Sequence, residues 1–139
     1  MSVQPLILVA DDDEDVRTIA RAILESRGSA VIEAVNGDDA VDLARSRSPD
    51  LIVLDLMMPG SDGWAALARL RADESLASIP VVALTSSEPP LEEIRAAGFC
   101  AILHKPIKPP ELADAIRICL RAYGGGEQWI PDLGRRIGG

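Results

Sequence analysis

Three aspartates, Asp11, Asp12 and Asp13, stand directly after the apolar run of residues 6–10. Asp55 ends a second apolar run, residues 51–54. Thr85-Ser86 ends a third, residues 81–84, and His104-Lys105-Pro106 follows a fourth, residues 100–103. Carboxylates brought close together repel one another and need a cation among them. An oxygen donor set with open positions suits Mg²⁺, which keeps waters and shares its shell with a phosphoryl group. A carboxylate can also be the nucleophile that becomes an aspartyl-phosphate. A lysine and a hydroxyl beside it would hold phosphoryl oxygens by charge and by hydrogen bond.

Each residue also has an ordinary explanation. An Asp after a strand is often a helix N-cap, and for residues 11–13 that reading stands level with the chemical one. Asp55 could be a loop acid, Thr85 a hydroxyl bonded to nearby backbone, and Lys105 a surface charge. The joint occurrence decides between them: carboxylates, a hydroxyl and a lysine at successive strand ends are hard to obtain as independent accidents.

The elements that must bring them together are legible. Residues 6–10, 51–54, 81–84 and 100–103 are short apolar runs of the kind that form strands buried on both faces, and residues 30–34 make a further short strand. Between them lie helical patterns. Residues 13–27 carry Val16, Ile19, Ala20, Ile23 and Leu24 as an inward stripe, with Asp13 as N-cap and Gly28 as the stop. Residues 38–47 turn Ala40, Val41 and Ala44 inward. Residues 64–71 form a third helix. Pro90 opens residues 91–97 from an N1-like position, and Gly98 closes them. Pro109 or Pro110 opens a last helix to about residue 123. Five strands alternating with helices predict a doubly wound parallel sheet, whose sites lie at the carboxyl ends of the strands.

The composition bounds the function. The chain has 139 residues with 47% hydrophobic and 26% charged, enough for one core and hardly for two domains. Its aromatic residues are Trp64, Phe99, Tyr123 and Trp129, so the core must be aliphatic. A formal charge of −8, with no basic run longer than Arg135-Arg136, argues against nucleic acid and against an anionic membrane surface. Cys100 and Cys119 are too few for a disulfide framework or a zinc site and are expected as buried small apolar side chains of a protein in a reducing cytoplasm. Residues 1–5 lack a basic leader, and residues 6–10 are far too short to span a membrane.

The chain resembles the receiver domain of two-component response regulators. The resemblance is carried by Leu8-Val-Ala-Asp-Asp-Asp-Glu-Asp-Val-Arg17, Leu54-Asp-Leu-Met-Met-Pro-Gly-Ser-Asp-Gly63, Ala83-Leu-Thr-Ser86 and His104-Lys-Pro106, and covers about residues 5 to 123. It implies a flavodoxin-like α/β fold: a five-stranded parallel sheet in the order 2-1-3-4-5 with helices on both faces. It implies that Asp55 accepts the phosphoryl group. Asp12, Asp55 and the carbonyl of Met57 would bind Mg²⁺, with Asp11 completing the acid pocket. Thr85 would be the switch hydroxyl and Lys105 the phosphate-binding lysine, with Lys105–Pro106 cis. The position three residues before the lysine, usually Tyr or Phe in the family, is Ile102. Phe99 and Cys100 replace small or acidic residues and would make the nearby face more apolar. His104 lies outside the family's functional set and is expected as a strand-end surface histidine. Trp64 is expected to pack at the start of the third helix.

The resemblance implies a single-domain regulator, residues 1–123, with a Gly-rich tail, residues 124–139, and no separate output domain. It would take its phosphoryl group from a sensor histidine kinase or a histidine phosphotransfer protein. It would act in the cytoplasm on a downstream protein target and catalyse at most its own phosphorylation and dephosphorylation. A homodimer contact would run through the last helix and the tail. The alternative is a degenerate receiver that binds partners without phosphorylation. An FMN carrier would need a Ser/Thr/Gly-rich phosphate loop where Asp11–Asp13 stand. A dinucleotide enzyme would need G-x-G-x-x-G there. A haloacid-dehalogenase-type phosphatase would need a second Asp at the place of Met57.

Overall fold

A computed structural model describes residues 4–58 and 63–125. The elements alternate strictly: β1 (Leu6–Ala10), α1 (Glu14–Ser26), β2 (Ala30–Ala34), α2 (Gly37–Arg47), β3 (Leu51–Asp55), α3 (Gly63–Ala72), β4 (Val81–Thr85), α4 (Leu91–Ala97), β5 (Ala101–His104) and α5 (Pro109–Gly125). All strand pairs are parallel, and the sheet order is β2-β1-β3-β4-β5, as expected.

Strand alternation sorts the core into two layers. Leu8, Ala10, Ile52, Leu54, Val81, Ala83 and Ile102 face one side, under α2, α3 and α4. Ile7, Val9, Leu51, Val53, Val82, Leu84 and Leu103 face the other, under α1 and α5. Every residue of β3 and β4 is buried, which is why these segments read as unbroken apolar runs.

Local signals set the helix ends. The Asp13 carboxylate accepts the Asp15 N–H, and the Asn36 side chain accepts the Asp39 N–H. Gly28 and Gly98 take φ of +93° and +101°, which only glycine adopts without strain, and so end α1 and α4.

Several expectations need correction. Ile19 is half exposed rather than inward. At 100° per residue, Val16, Ala20, Ile23 and Leu24 cluster within one arc, and Ile19 falls at its edge. Pro90 is the N-cap of α4, not its first residue, because its ψ of 120° is extended. The strand expected at residues 100–103 is shifted by one, so His104 is its last residue. Phe99 and Cys100 do not make a surface apolar, since both are buried. Phe99 meets Trp64 edge to face, with ring centroids 5.6 Å apart, which fixes Trp64 as packing at the start of α3.

The two cysteines are buried as expected, but they are joined rather than free thiols, so the cysteines do not support the expectation of a reducing environment. Cys100, at the entrance to β5, and Cys119, on α5, form a disulfide with Cα atoms 6.1 Å apart. They stand nineteen positions apart in sequence, and only the packing of α5 on the sheet brings them together. The last helix runs past its expected end, since Gly124 and Gly125, expected to begin the tail, still belong to α5; residues 126–139, Trp129 among them, and loop residues 59–62 lie outside the described residues. Among the described residues no helix is long and apolar enough to cross a membrane.

Candidate functional site

In a parallel sheet all carboxyl ends point to the same edge. Asp11 and Asp12 follow β1, Asp55 ends β3, Thr85 ends β4, and Lys105 follows β5. Asp11 and Asp55 are buried, Asp12 is exposed, and one carboxylate oxygen of each lies within 4.8 Å of the others. The Lys105 ammonium lies 2.8 Å from Asp11 Oδ2 and 3.3 Å from Asp55 Oδ2. The Lys105–Pro106 bond is cis, and the Lys105 N–H donates to the Thr85 carbonyl at 2.8 Å.

The main chain orients both buried carboxylates. Asp11 Oδ1 accepts the Asp13 N–H at 2.9 Å. Asp55 Oδ1 accepts the Met57 N–H at 3.0 Å, which leaves Oδ2 turned to Lys105. That bond fixes the Met57 main chain beside Asp55, while the Met57 side chain is 67% exposed.

Charge is unbalanced here. Burial, with the nearby charge of Asp11, pushes the Asp55 carboxyl up to about 6, against the Met57 N–H and Lys105, which favour its ionised form. Burial alone would lower the Lys105 ammonium, but Asp11 and Asp55 outweigh it and raise it. Fully ionised, three carboxylates and one ammonium leave two net negative charges. An all-oxygen set with that deficit fits a divalent cation such as Mg²⁺.

Thr85 is fully buried. Its Oγ1 accepts the Ser87 N–H at 3.1 Å and pairs with the Ser87 hydroxyl at 3.0 Å. Ile102, at the position where the resemblance led to the expectation of an aromatic, is wholly buried in the layer under α2–α4. His104 pairs in register with Thr85, and its Nε2 lies 3.8 Å from Glu88 Oε1, so it is at the strand end as expected but partly buried rather than on the open surface.

Two further residues shape the site. The Gly63 N–H donates to the Leu56 carbonyl at 3.1 Å, and a Cβ at Gly63 would overlap the backbone of Asp55 and Leu56. Glycine therefore lets α3 approach the end of β3. Ser87 engages Thr85, and its hydroxyl two residues downstream is a local signal for such a turn.

Known proteins carry the same pattern. Residues 7–117 match the response regulator receiver domain family. The phosphate regulon transcriptional regulatory protein PhoB of Pseudomonas aeruginosa is 34% identical over 127 residues, covering 90% of this chain; the chain spans only 56% of that regulator's length. Protein PilH of the same organism is 33% identical over 116 residues, covering 82% of this chain and 96% of PilH. The Francisella response regulator 1452 receiver domain superposes with a TM-score of 0.78 at 30% identity, covering 85% of this chain and 98% of that one. With the strand order, the strand-end residues and these likenesses together, the chain belongs to the response regulator receiver domain family.

Proposed function

We propose that this chain is a phosphoryl-accepting switch with Asp55 as its acceptor. The observation that carries the reading is the convergence of Asp11, Asp12, Asp55 and Lys105 on one sheet edge, with Thr85 at the adjacent strand end. A carboxylate oxygen of Asp55 attacks the phosphorus of a phosphohistidine on a sensor kinase or a phosphotransfer protein. The P–N bond breaks, its electron pair returns to the imidazole, and the phosphoryl group ends on Asp55. Asp11, Asp12, Asp55 and the Met57 carbonyl would hold Mg²⁺, which supplies positive charge to the phosphoryl oxygens. Lys105 binds a further phosphoryl oxygen, and Thr85 leaves Ser87 to donate its hydroxyl to another. The group adds about −1.5 to −2 charge at the edge of the sheet, and that charge drives the change that a downstream protein reads.

On this reading residues 1–123 are the receiver, the chain works in the cytoplasm through protein contacts, and its only catalysis is on its own aspartyl-phosphate. Intact-mass measurement after incubation with Mg²⁺ and acetyl phosphate tests it. The wild type gains one phosphoryl group, and Asp55→Asn gains none. A labelled Asp55→Asn would move the acceptor elsewhere. An unlabelled wild type would favour a module that acts without phosphorylation.

A further inference from the structure

We infer that Arg17 is a positioning residue for the cation site, acting through the main chain of Asp11. This rests on the reading that Asp11, Asp12 and Asp55 hold a divalent cation. Arg17 lies in the first turns of α1, near the end where a helix disfavours positive charge, and its side chain is only 12% exposed. Its place therefore needs specific partners. One guanidinium nitrogen, Nη1, donates to the Asp11 carbonyl at 2.8 Å, and Nε donates to Glu33 Oε1 at 3.0 Å. Glu33 stands on β2, and its other oxygen accepts Arg21 Nε at 2.7 Å. The Arg21 bond, together with that of Arg17, outweighs burial and holds the Glu33 carboxyl below its ordinary range, so this anchor stays ionised.

The planar fork of Arg17 thus spans two fixed points, the β2 carboxylate and the carbonyl that begins the Asp11–Asp12 peptide. The Asp11 N–H is tied to the Ala34 carbonyl at 3.1 Å, so Asp11 is clamped on both sides of its Cα. Asp12 is the exposed member of the acid trio, and the peptide before it sets its direction. With Arg17 in place, the Asp12 carboxylate is aimed at Asp11 and Asp55 before any cation arrives. Without it, the carbonyl of that peptide loses its side-chain anchor, and the Asp12 side is held less firmly for binding.

Charge and positioning predict opposite signs, which makes the inference testable. Arg17, Arg21, Glu25 and Glu33 form one ion-pair network with no net charge. Removing either arginine leaves one extra negative charge near the acid pocket, and by charge alone a cation should bind more tightly. Removing Arg17, but not Arg21, also frees the Asp11 carbonyl.

The experiment is calorimetric titration of the full chain with Mg²⁺, with melting curves in chelator as a folding control. Arg17→Ala should bind Mg²⁺ about tenfold more weakly, the size typical of groups that orient metal ligands. Arg21→Ala should bind as the wild type or slightly tighter, and Arg17→Lys should recover part of the loss. Equal affinities in Arg17→Ala and Arg21→Ala overturn the inference. If Arg17→Ala melts too low to titrate, the gap between Arg17→Lys and the wild type decides, and no gap overturns it. A wild type that shows no Mg²⁺ binding, with Asp12→Asn indistinguishable from it, overturns the cation reading itself.

Discussion

Lys105 stands closer to Asp11 than to the carboxylate it is proposed to assist. Its ammonium is 2.8 Å from Asp11 Oδ2 and 3.3 Å from Asp55 Oδ2. In this state it occupies part of the charge deficit that a divalent cation would fill. Lys105→Met should therefore bind Mg²⁺ a few-fold more tightly, because a competing positive charge is gone. The same variant should take up phosphoryl groups from acetyl phosphate at least tenfold more slowly, because one phosphoryl oxygen loses its charged partner. Calorimetric titration and time-resolved intact mass read the two effects. A variant that loses both would place Lys105 among the groups that organise the metal site.

Asp55 makes stability depend on pH in the metal-free chain. Its carboxyl is raised from 3.8 to about 6 by burial. Above pH 6 the folded chain must hold it ionised at a cost the unfolded chain does not bear. As pH falls from about 6 toward 3.8 the folded state binds more protons than the unfolded one, and this cost disappears. In chelator, Asp55→Asn should raise the melting temperature at pH 7.5, because the substituted side chain carries no charge to be held in the buried site. The gain should shrink to little by pH 4. A pH-independent gap would assign the effect to packing rather than to ionisation.

The disulfide between Cys100 and Cys119 ties the start of β5 to α5 across nineteen residues. Closing a loop of that size stabilises a fold by about 3 kcal/mol, chiefly by restricting the unfolded chain. Protein prepared with both thiols free, verified by alkylation and mass, should melt about 10 °C below the oxidised form. Equal melting temperatures would show that the bond adds nothing to packing already made by the buried sulfurs.

Much of this architecture was readable because the apolar segments are short and bounded. Residues 6–10 and 51–54 have no polar position, so each had to be buried on both faces, and β1 and β3 are central strands. The strand-end residues could be placed on one edge because parallel strands share a direction. What was not readable depends on contacts between segments far apart in sequence. The pairing of Cys100 with Cys119 requires the seating of α5 on the sheet. The bond from Arg17 to Asp11 ends on a carbonyl, a group every residue carries, so no side-chain pattern announces it. Gly63 is needed only because α3 begins against the end of β3. Ile19 shows the limit of periodicity, since the edge of a helical stripe is settled by what packs on it.

Ser87 holds the hydroxyl that the phosphoryl group would recruit. Thr85 Oγ1 is bonded to both the Ser87 N–H and the Ser87 hydroxyl. Moving Thr85 toward Asp55 must break these bonds, and they are a built-in bias toward the resting arrangement. Ile102 is branched and stiff at its first torsion, and it has no ring to swing into space that Thr85 vacates. The change must then travel through the β4–α4 segment itself, where any element with two packings will serve. Ser87→Ala removes one of the two bonds and leaves the other. One neutral hydrogen bond is worth about 1 kcal/mol, so the engaged state should be favoured about fivefold. Titration with beryllofluoride in Mg²⁺ should show that gain in apparent affinity, and hydrogen exchange should change over residues 85–110 at lower ligand concentration than in the wild type. Unchanged affinity in Ser87→Ala, with Thr85→Ala abolishing the response, would mean that Thr85 moves without resistance from Ser87.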